Sequence, residues 1–354
     1  MGLLDETIKR ILPADTVTRE KALERLNQLT MPHWALGRLM DLALDLAAMT
    51  RSTNPEVDKR VVVVMAGDHG VANEGVSNYP QEVTLQMVYN FLRGGAGINA
   101  ISRVSGSHVM VVDMGVATDM GEVPDPTRFI SKRIRPGTSN IATGPAMTRE
   151  EAVKSVEAGI EVALKLGESY NLFGTGDMGI GNTTPSSAIV SAITGEDPAK
   201  VTGHGTGIDD EKFQNKVKII KKILKVNQPN PKDALDTLAK VGGFEIGGIA
   251  GLILGAASMQ KPILIDGFIS TTGALIAHGI CPTAADYMIA SHRSVEQGHK
   301  VALKYLNKKP LMDLNLRLGE GTGAALSMTL VEAAVRILTE VATFEEAEVT
   351  KAEL

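Results

Sequence analysis

Asn171-Leu172-Phe173-Gly174-Thr175-Gly176-Asp177-Met178-Gly179-Ile180-Gly181-Asn182-Thr183-Thr184-Pro185 runs from an apolar, strand-like segment through closely spaced glycines. It leaves through Thr-Thr-Pro into Ser186-Ser187-Ala188-Ile189-Val190, which reads as a helix. Thr184 as N-cap and Pro185 as first helical residue mark the helix start. Glycines let a backbone approach a ligand closely and take positive φ. A helix N-terminus behind such a turn offers free N–H groups and a positive dipole end to an anion such as a phosphate. Gly174-x-Gly176-x-x-Gly179 also fits the dinucleotide fingerprint, which needs its glycines to open the helix and an acidic residue about 20 positions on, at a strand end. Here the helix starts well beyond Gly179, and Glu196 and Asp197 fall in a Gly/Pro turn. A phosphorylated ligand fits better than a dinucleotide. The plain alternative is a turn that only reverses the chain.

Outward from this stretch, strand and helix patterns alternate. Val61-Val62-Val63-Val64-Met65-Ala66 and Val109-Met110-Val111-Val112-Asp113 are continuous apolar runs of the buried parallel-strand kind, as are Leu172-Phe173 and Ile263-Leu264-Ile265-Asp266. Helical segments are expected over about 82–104, 148–167, 185–194, 209–227 and 244–258, the second opened by the capping box Thr148-x-x-Glu151. Such alternation predicts an α/β fold with a parallel sheet flanked by helices. Ligands bind such sheets at the carboxyl ends of the strands. Gly67-Asp68-His69-Gly70, Asp113-Met114-Gly115, the 174–184 stretch and Asp266-Gly267-Phe268 all fall there. Residues 1–55 read as helices, 56–293 as the large α/β domain, and 294–354 as helices again. The first and last segments together are expected to form a smaller helical domain.

Composition narrows the function. The chain has 354 residues, enough for a large core. Aromatics are 4% with Trp34 alone of its kind, net charge is −5, and no long Lys/Arg block appears, which argues against nucleic-acid binding. One cysteine, Cys281, excludes an intramolecular disulfide and a multi-cysteine metal site. The N-terminus has no basic-plus-apolar signal pattern, and the apolar stretch 246–258 is short and broken by glycines. A cytoplasmic protein without membrane or nucleic-acid partners is expected.

Three constellations remain. The Asp68-His69 pair could suggest a metal or an acid–base pair, but adjacent residues share no face of regular structure; a loop fixed by Asp68 hydrogen bonds to backbone N–H groups is the better reading. Glu320, inside Leu316-Arg317-Leu318-Gly319-Glu320-Gly321-Thr322-Gly323-Ala324-Ala325, precedes an apolar helix over 324–338. Its carboxylate has two open roles, interaction with a helix N-terminus or general base toward a substrate admitted by the glycines. Lys216 stands among Lys212, Lys218, Lys221, Lys222 and Lys225, and alone reads as one more solvated lysine. Neither a Gly-x-Ser-x-Gly elbow nor a P-loop is present.

Taken in order, further segments resemble one family. They are Leu36-Gly37-Arg38-Leu39, Ala66-Gly67-Asp68-His69-Gly70-Val71, Glu74-Gly75-Val76, Pro80-Gln81-Glu82-Val83-Thr84, Gly179-Ile180-Gly181-Asn182-Thr183-Thr184-Pro185, Asn215-Lys216-Val217, Lys240-Val241-Gly242-Gly243-Phe244, Asp266-Gly267-Phe268 and Arg317-Leu318-Gly319-Glu320-Gly321. The chain thereby resembles the nicotinate-nucleotide–dimethylbenzimidazole phosphoribosyltransferases of cobamide lower-loop assembly, over about residues 20–340. The resemblance implies transfer of the 5-phosphoribosyl group from nicotinate mononucleotide to 5,6-dimethylbenzimidazole or a related base, giving α-ribazole 5′-phosphate and nicotinate. It implies a homodimer with a Rossmann-like large domain and a small helical domain, and Glu320 as catalytic base. Gly176, Asp177, Gly179, Gly181, Asn182, Thr183, Lys216, Asp266 and Gly267 would hold the nucleotide and its phosphate. Tyr79, Gln86, Met87 and Leu318 would meet the acceptor base. No cofactor and no metal are expected, since no pyrophosphate leaves. Asp177 stands where relatives often carry Glu, and Pro32-His33-Trp34 replaces a common Pro-Pro-Gly. A phosphoribosyltransferase of different base specificity, or a non-catalytic nucleotide-binding regulator, are the competing readings.

Overall fold

Among the described residues, six strands pair in parallel in a single sheet of order β3-β2-β1-β4-β5-β6. They are β1 (Arg60–Gly67), β2 (His108–Gly115), β3 (Phe129–Ser131), β4 (Leu172–Met178), β5 (Ile263–Ile265) and β6 (Met288–Ala290). The computed structural model describes residues 2–203, 205 and 209–350. Every residue of β1 is buried, which explains its unbroken Val run: a central parallel strand is covered on both faces. The chain direction of the order reverses between β1 and β4, so the crevice beyond their carboxyl ends is the switch point where such sheets bind ligands.

Three helices, α1 (Leu3–Arg10), α2 (Thr16–Leu26) and α3 (Arg38–Thr50), precede the sheet. Between β1 and β2 lie α4 (Val83–Arg93) and α5 (Gly97–Ser105); α6 (Arg149–Gly167) leads into β4. Between β4 and β5 come α7 (Thr183–Thr194), α8 (Pro198–Val201), α9 (Asp210–Asn227), α10 (Ala234–Val241) and α11 (Phe244–Ser258). Then follow α12 (Phe268–Ile280), α13 (Gln297–Tyr305) and α14 (Thr322–Glu340). α11 and α12 pack against the sheet and each other, while α4, α5 and α14 pack against it with α5 and α14 in mutual contact. α14 is long and apolar enough to span a membrane by length and composition, but 61% of its apolar window is buried inside the fold.

The expected α/β architecture is present, with local differences. The single helix expected over 82–104 is two, because Gly94 takes φ +79° and caps α4 in the left-handed conformation. The capping box at Thr148 forms as read. α7 starts at Thr183 with Asn182 as N-cap, so Thr184 and Pro185 lie inside its first turn. β4 does not stop at Phe173. It continues through Gly174, Thr175, Gly176 and Asp177, paired with Val62 to Met65 of β1. These strand glycines serve packing: a methyl group at Gly174 would press on Ala324 and Met328 of α14 at 3.2 and 3.0 Å. α10, α12 and the three-residue strands β3 and β6 were not legible in the pattern, which is too short or too uniformly apolar there.

Chain ends meet. Arg25 Nε donates to the Leu338 carbonyl at 2.8 Å, and Thr30 N donates to the Ala342 carbonyl at 3.0 Å. α14 packs on α3 and α2.

Candidate active site

β4 delivers the opening stretch to the switch point. Gly176 lies against the 319–321 loop: a Cβ there would stand 2.6 Å from the Glu320 carbonyl oxygen, so only glycine admits this crossing. The loop itself is left-handed at three successive residues, Gly319 (φ +83°), Glu320 (φ +62°) and Gly321 (φ +91°). For a glutamate that conformation is costly, and such strain persists where the surroundings over-determine it. Here they do. Asp266, at the end of β5, accepts from Gly321 N at 3.2 Å and from Ala324 N at 3.0 Å with its two carboxylate oxygens. It thus caps α14 and pins the far side of the loop. The sequence reading gave Asp266 to the nucleotide, but its oxygens are engaged by this backbone. Gly267 beside it is the N-cap of α12 and lies under the His292 ring, 3.6 Å from where a Cβ would be.

Glu320 is 7% exposed. Its Oε2 accepts from Ile98 N at 3.0 Å, at the start of α5. The two roles left open for it therefore meet in part: the carboxylate does sit at a helix N-terminus, that of α5 rather than of the helix it precedes. Burial pushes its pKa above the usual carboxylate range, the N–H of Ile98 opposes, the Asp266 charge adds to the rise, and the N–H of Gly97 opposes again. Leu318, 60% exposed, projects beside it over Gly97, whose Cβ position lies 2.7 Å from a Leu318 methyl. Of the other residues expected at the acceptor base, Met87 is half-buried on α4, while Gln86 on α4 and Tyr79 are exposed.

Asp177 connects this loop to the glycine turn. Its Oδ2 accepts from Asn182 Nδ2 at 3.0 Å, and its Oδ1 is buried without a partner. Burial, then the neighbouring Asp266 charge, with smaller contributions from Glu245 and Glu320, push Asp177 up to about 8, against the Asn182 bond. It is therefore mostly protonated at neutral pH and can donate a hydrogen bond.

The turn after β4 crosses the end of β1, where Gly179 packs so closely that a Cβ would stand 2.3 Å from the Gly67 carbonyl. Gly181 takes φ +87°, Asn182 caps α7, and Thr183 opens it. Lys216 of α9 points there. Its Nζ donates to Thr183 Oγ1 at 2.7 Å, and the residue is 1% exposed, so it is no solvated lysine. Burial pulls its pKa down to about 8, with the Glu296 carboxylate holding it up. A helix N-terminus and a buried cation share one hydroxyl, which is an anion site in construction.

Sequence reasoning missed the floor of the crevice. His69 Nε2 and Glu245 Oε1 are 2.8 Å apart and both residues are buried. Burial pulls the imidazole down, but the Glu245 carboxylate, with Asp68, outweighs it and leaves the pKa raised. Nothing in the local sequence links positions 176 apart. Asp68, by contrast, behaves as read: its Oδ2 accepts from Ala117 N at 2.7 Å. Among the described residues no group of three or more His, Cys, Asp or Glu could hold a metal ion.

A phosphoribosyltransferase family model matches residues 11–349. The chain belongs to this family. Among its relatives, the nicotinate-nucleotide–dimethylbenzimidazole phosphoribosyltransferase of Syntrophotalea carbinolica is 60% identical, with 99% of each chain covered. That of Desulfotalea psychrophila is 56% identical over the full length of both. The crystal structure of the enzyme of that name from Thermus thermophilus superposes with a TM-score of 0.90 at 44% identity, covering 96% of this chain and all of that one. Membership therefore rests on a match over nearly the whole chain, not on one motif.

Proposed function

We propose that this phosphoribosyltransferase moves the 5-phosphoribosyl group of nicotinate mononucleotide onto 5,6-dimethylbenzimidazole or a related base, releasing nicotinate and forming α-ribazole 5′-phosphate. The observation that carries the reading is the Glu320 carboxylate: buried, raised in basicity by burial, and held at the switch point by Asp266 and α5. Relatives named for this reaction at up to 60% identity supply its substrates.

The chemistry balances. One acceptor nitrogen attacks the ribose anomeric carbon as the bond to the pyridinium nitrogen breaks, and that electron pair returns to the nicotinate ring. The proton on the other acceptor nitrogen passes to Glu320. The leaving ring is cationic before departure, so one base suffices, and positioning supplies much of the remainder. Lys216, Thr183 and the α7 N-terminus hold the 5′-phosphate, and protonated Asp177 donates to the nucleotide. Gly176 and Asp266 serve by fixing Glu320. Tyr79, Gln86, Met87 and Leu318 face the acceptor. The chain ends form a small domain around the 56–293 core, and the enzyme works as a homodimer with small-molecule partners in the cytoplasm.

Turnover of nicotinate mononucleotide with and without benzimidazoles, followed by product mass, tests the reading; binding without turnover would favour a regulator instead. Lys216→Ala is expected to raise the KM for nicotinate mononucleotide by about tenfold or more, a charge-assisted hydrogen bond being worth ~1.5–3 kcal/mol, with the acceptor KM little changed. In the wild type, kcat/KM for the nucleotide should fall as pH rises through about 8, where Lys216 loses its proton. A flat profile up to pH 10 would remove Lys216 from the phosphate.

A further inference from the structure

α9 reaches the site at more than one point. Lys212, Asn215 and Lys216 stand at i, i+3 and i+4, one face of the helix. Lys216 bonds Thr183 at the start of α7. Asn215 Nδ2 donates to the Glu74 carbonyl at 3.2 Å, and Lys212 Nζ donates to Asn78 Oδ1 at 2.7 Å. Glu74 is gripped from the other side, its Oε1 accepting from Asn140 Nδ2 at 2.6 Å. The segment bonded this way runs through a 3-10 turn, Gly70–Glu74, to Tyr79. Its Ala72 lies against the Gly181 turn, 3.6 Å from where a Cβ on Gly181 would be. The 72–79 segment thus hangs from the helix that supplies the buried lysine.

We infer that Asn215, assisted by Lys212, is a positioning residue that couples the phosphate subsite to acceptor recognition, setting the 74–79 segment against the bound nucleotide through α9. This rests on the function proposed above. An α-helix is a stiff rod, so a shift that brings Lys216 onto a phosphate moves Asn215 and Lys212 with it. Rigid elements bonded at both sites are what carry coupling through a protein. Coupling of this kind is reciprocal: the phosphate end must strengthen acceptor binding by the factor with which the acceptor strengthens the phosphate's. Bonds that only braced the fold would leave acceptor choice untouched.

The test uses the full-length enzyme, Asn215→Leu, which keeps the volume and removes the donor, and Asn215→Gln, which restores one. Equilibrium dialysis measures 5,6-dimethylbenzimidazole binding with and without ribose 5-phosphate. In the wild type, ribose 5-phosphate should tighten acceptor binding about fivefold or more. Asn215→Leu should abolish that gain, raise the acceptor KM by a similar factor and alter the product ratio from two competing benzimidazoles. Ribose 5-phosphate binding in the absence of acceptor should stay within about twofold, its tightening by the acceptor should be lost by the same factor, and Asn215→Gln should recover part of the gain. Should Asn215→Leu fail to fold, exposed Lys212→Met carries the test, with smaller changes in the same direction. Ribose 5-phosphate binding weakened in the absence of acceptor, or unchanged product ratios and no effect of ribose 5-phosphate, would overturn the inference. A wild type that turns over nicotinate mononucleotide but shows no coupling sinks this inference alone; one without turnover sinks the function with it.

Discussion

Glu320 occupies a backbone conformation that glutamate rarely takes, between two glycines that take it readily. Its carboxylate faces the N–H of Ile98 and its carbonyl faces Gly176. Glu320→Gln should therefore fold and keep its affinity for the nucleotide while kcat falls by about 10²–10⁴-fold, the usual cost of removing a general base. Steady-state kinetics decides it, and a near-wild-type rate would take Glu320 out of that role. Asp177 makes a prediction about stability. Its folded pKa of about 8 lies above its unfolded value of 3.8. Such a group favours the folded state fully below pH ~4 and loses that contribution as pH rises through about 8. Without ligand, Asp177→Asn should be more stable than the wild type at pH 8.5, by ~1–3 kcal/mol, the cost typical of a badly matched buried polar group. The gap should close at pH 5 in denaturant melts; equal stabilities at both pH values would mean that Asp177 is not buried as drawn.

Helix α11 shows what an element contributes. Its glycines let it sink onto α6: a Cβ at Gly251 would stand 1.9 Å from the Val156 carbonyl, and one at Gly159 of α6 would stand 2.0 Å from the Gly248 carbonyl. Neither side can yield, because both obstacles are backbone. Gly251→Ala should cost ~1–3 kcal/mol by overpacking, lowering the thermal midpoint while leaving KM values near wild type, since Gly251 lies six residues beyond Glu245, the α11 residue at the floor of the crevice. A midpoint unchanged from wild type would mean that the two helices sit further apart. The glycine-broken apolar run of α11 was readable as a buried helix, yet its partner was not, because close packing joins positions about 90 residues apart. The same limit applied at the site. The glycine turn was legible because it carries its chemistry in a short motif, whereas Glu320 kept two open roles and Lys216 read as a solvated lysine until the family resemblance singled them out. Asp266's attachment to Gly321 and Ala324, the His69–Glu245 pair and the Glu296 charge near Lys216 were not, since each forms only when distant segments fold together. Gly176 was legible as a special position but for a different reason: it admits the Glu320 loop.

At the scale of the molecule, the strand order brings Asp177 of β4, Asp266 after β5 and the loop before α14 together at one end of the sheet. No metal is needed for a reaction whose leaving group is a neutral-ring nicotinate. Full activity in excess EDTA is the expected outcome; loss that Mg²⁺ restores would argue for a different phosphoribosyl donor, one that releases pyrophosphate. The bond between Ile98 and Glu320 also has a meaning in time. It joins positions 222 residues apart, and chains emerge from the ribosome at about 5–20 residues per second. By the time β4 has appeared, β1, β2 and β3 are outside as well, while the loop that carries Glu320 is still unmade for roughly ten seconds. A growing chain can thus pair β1, β2, β3 and β4 before β5, β6 and the loop that carries Glu320 exist, so the centre of the sheet waits on the strands and the loop that complete it.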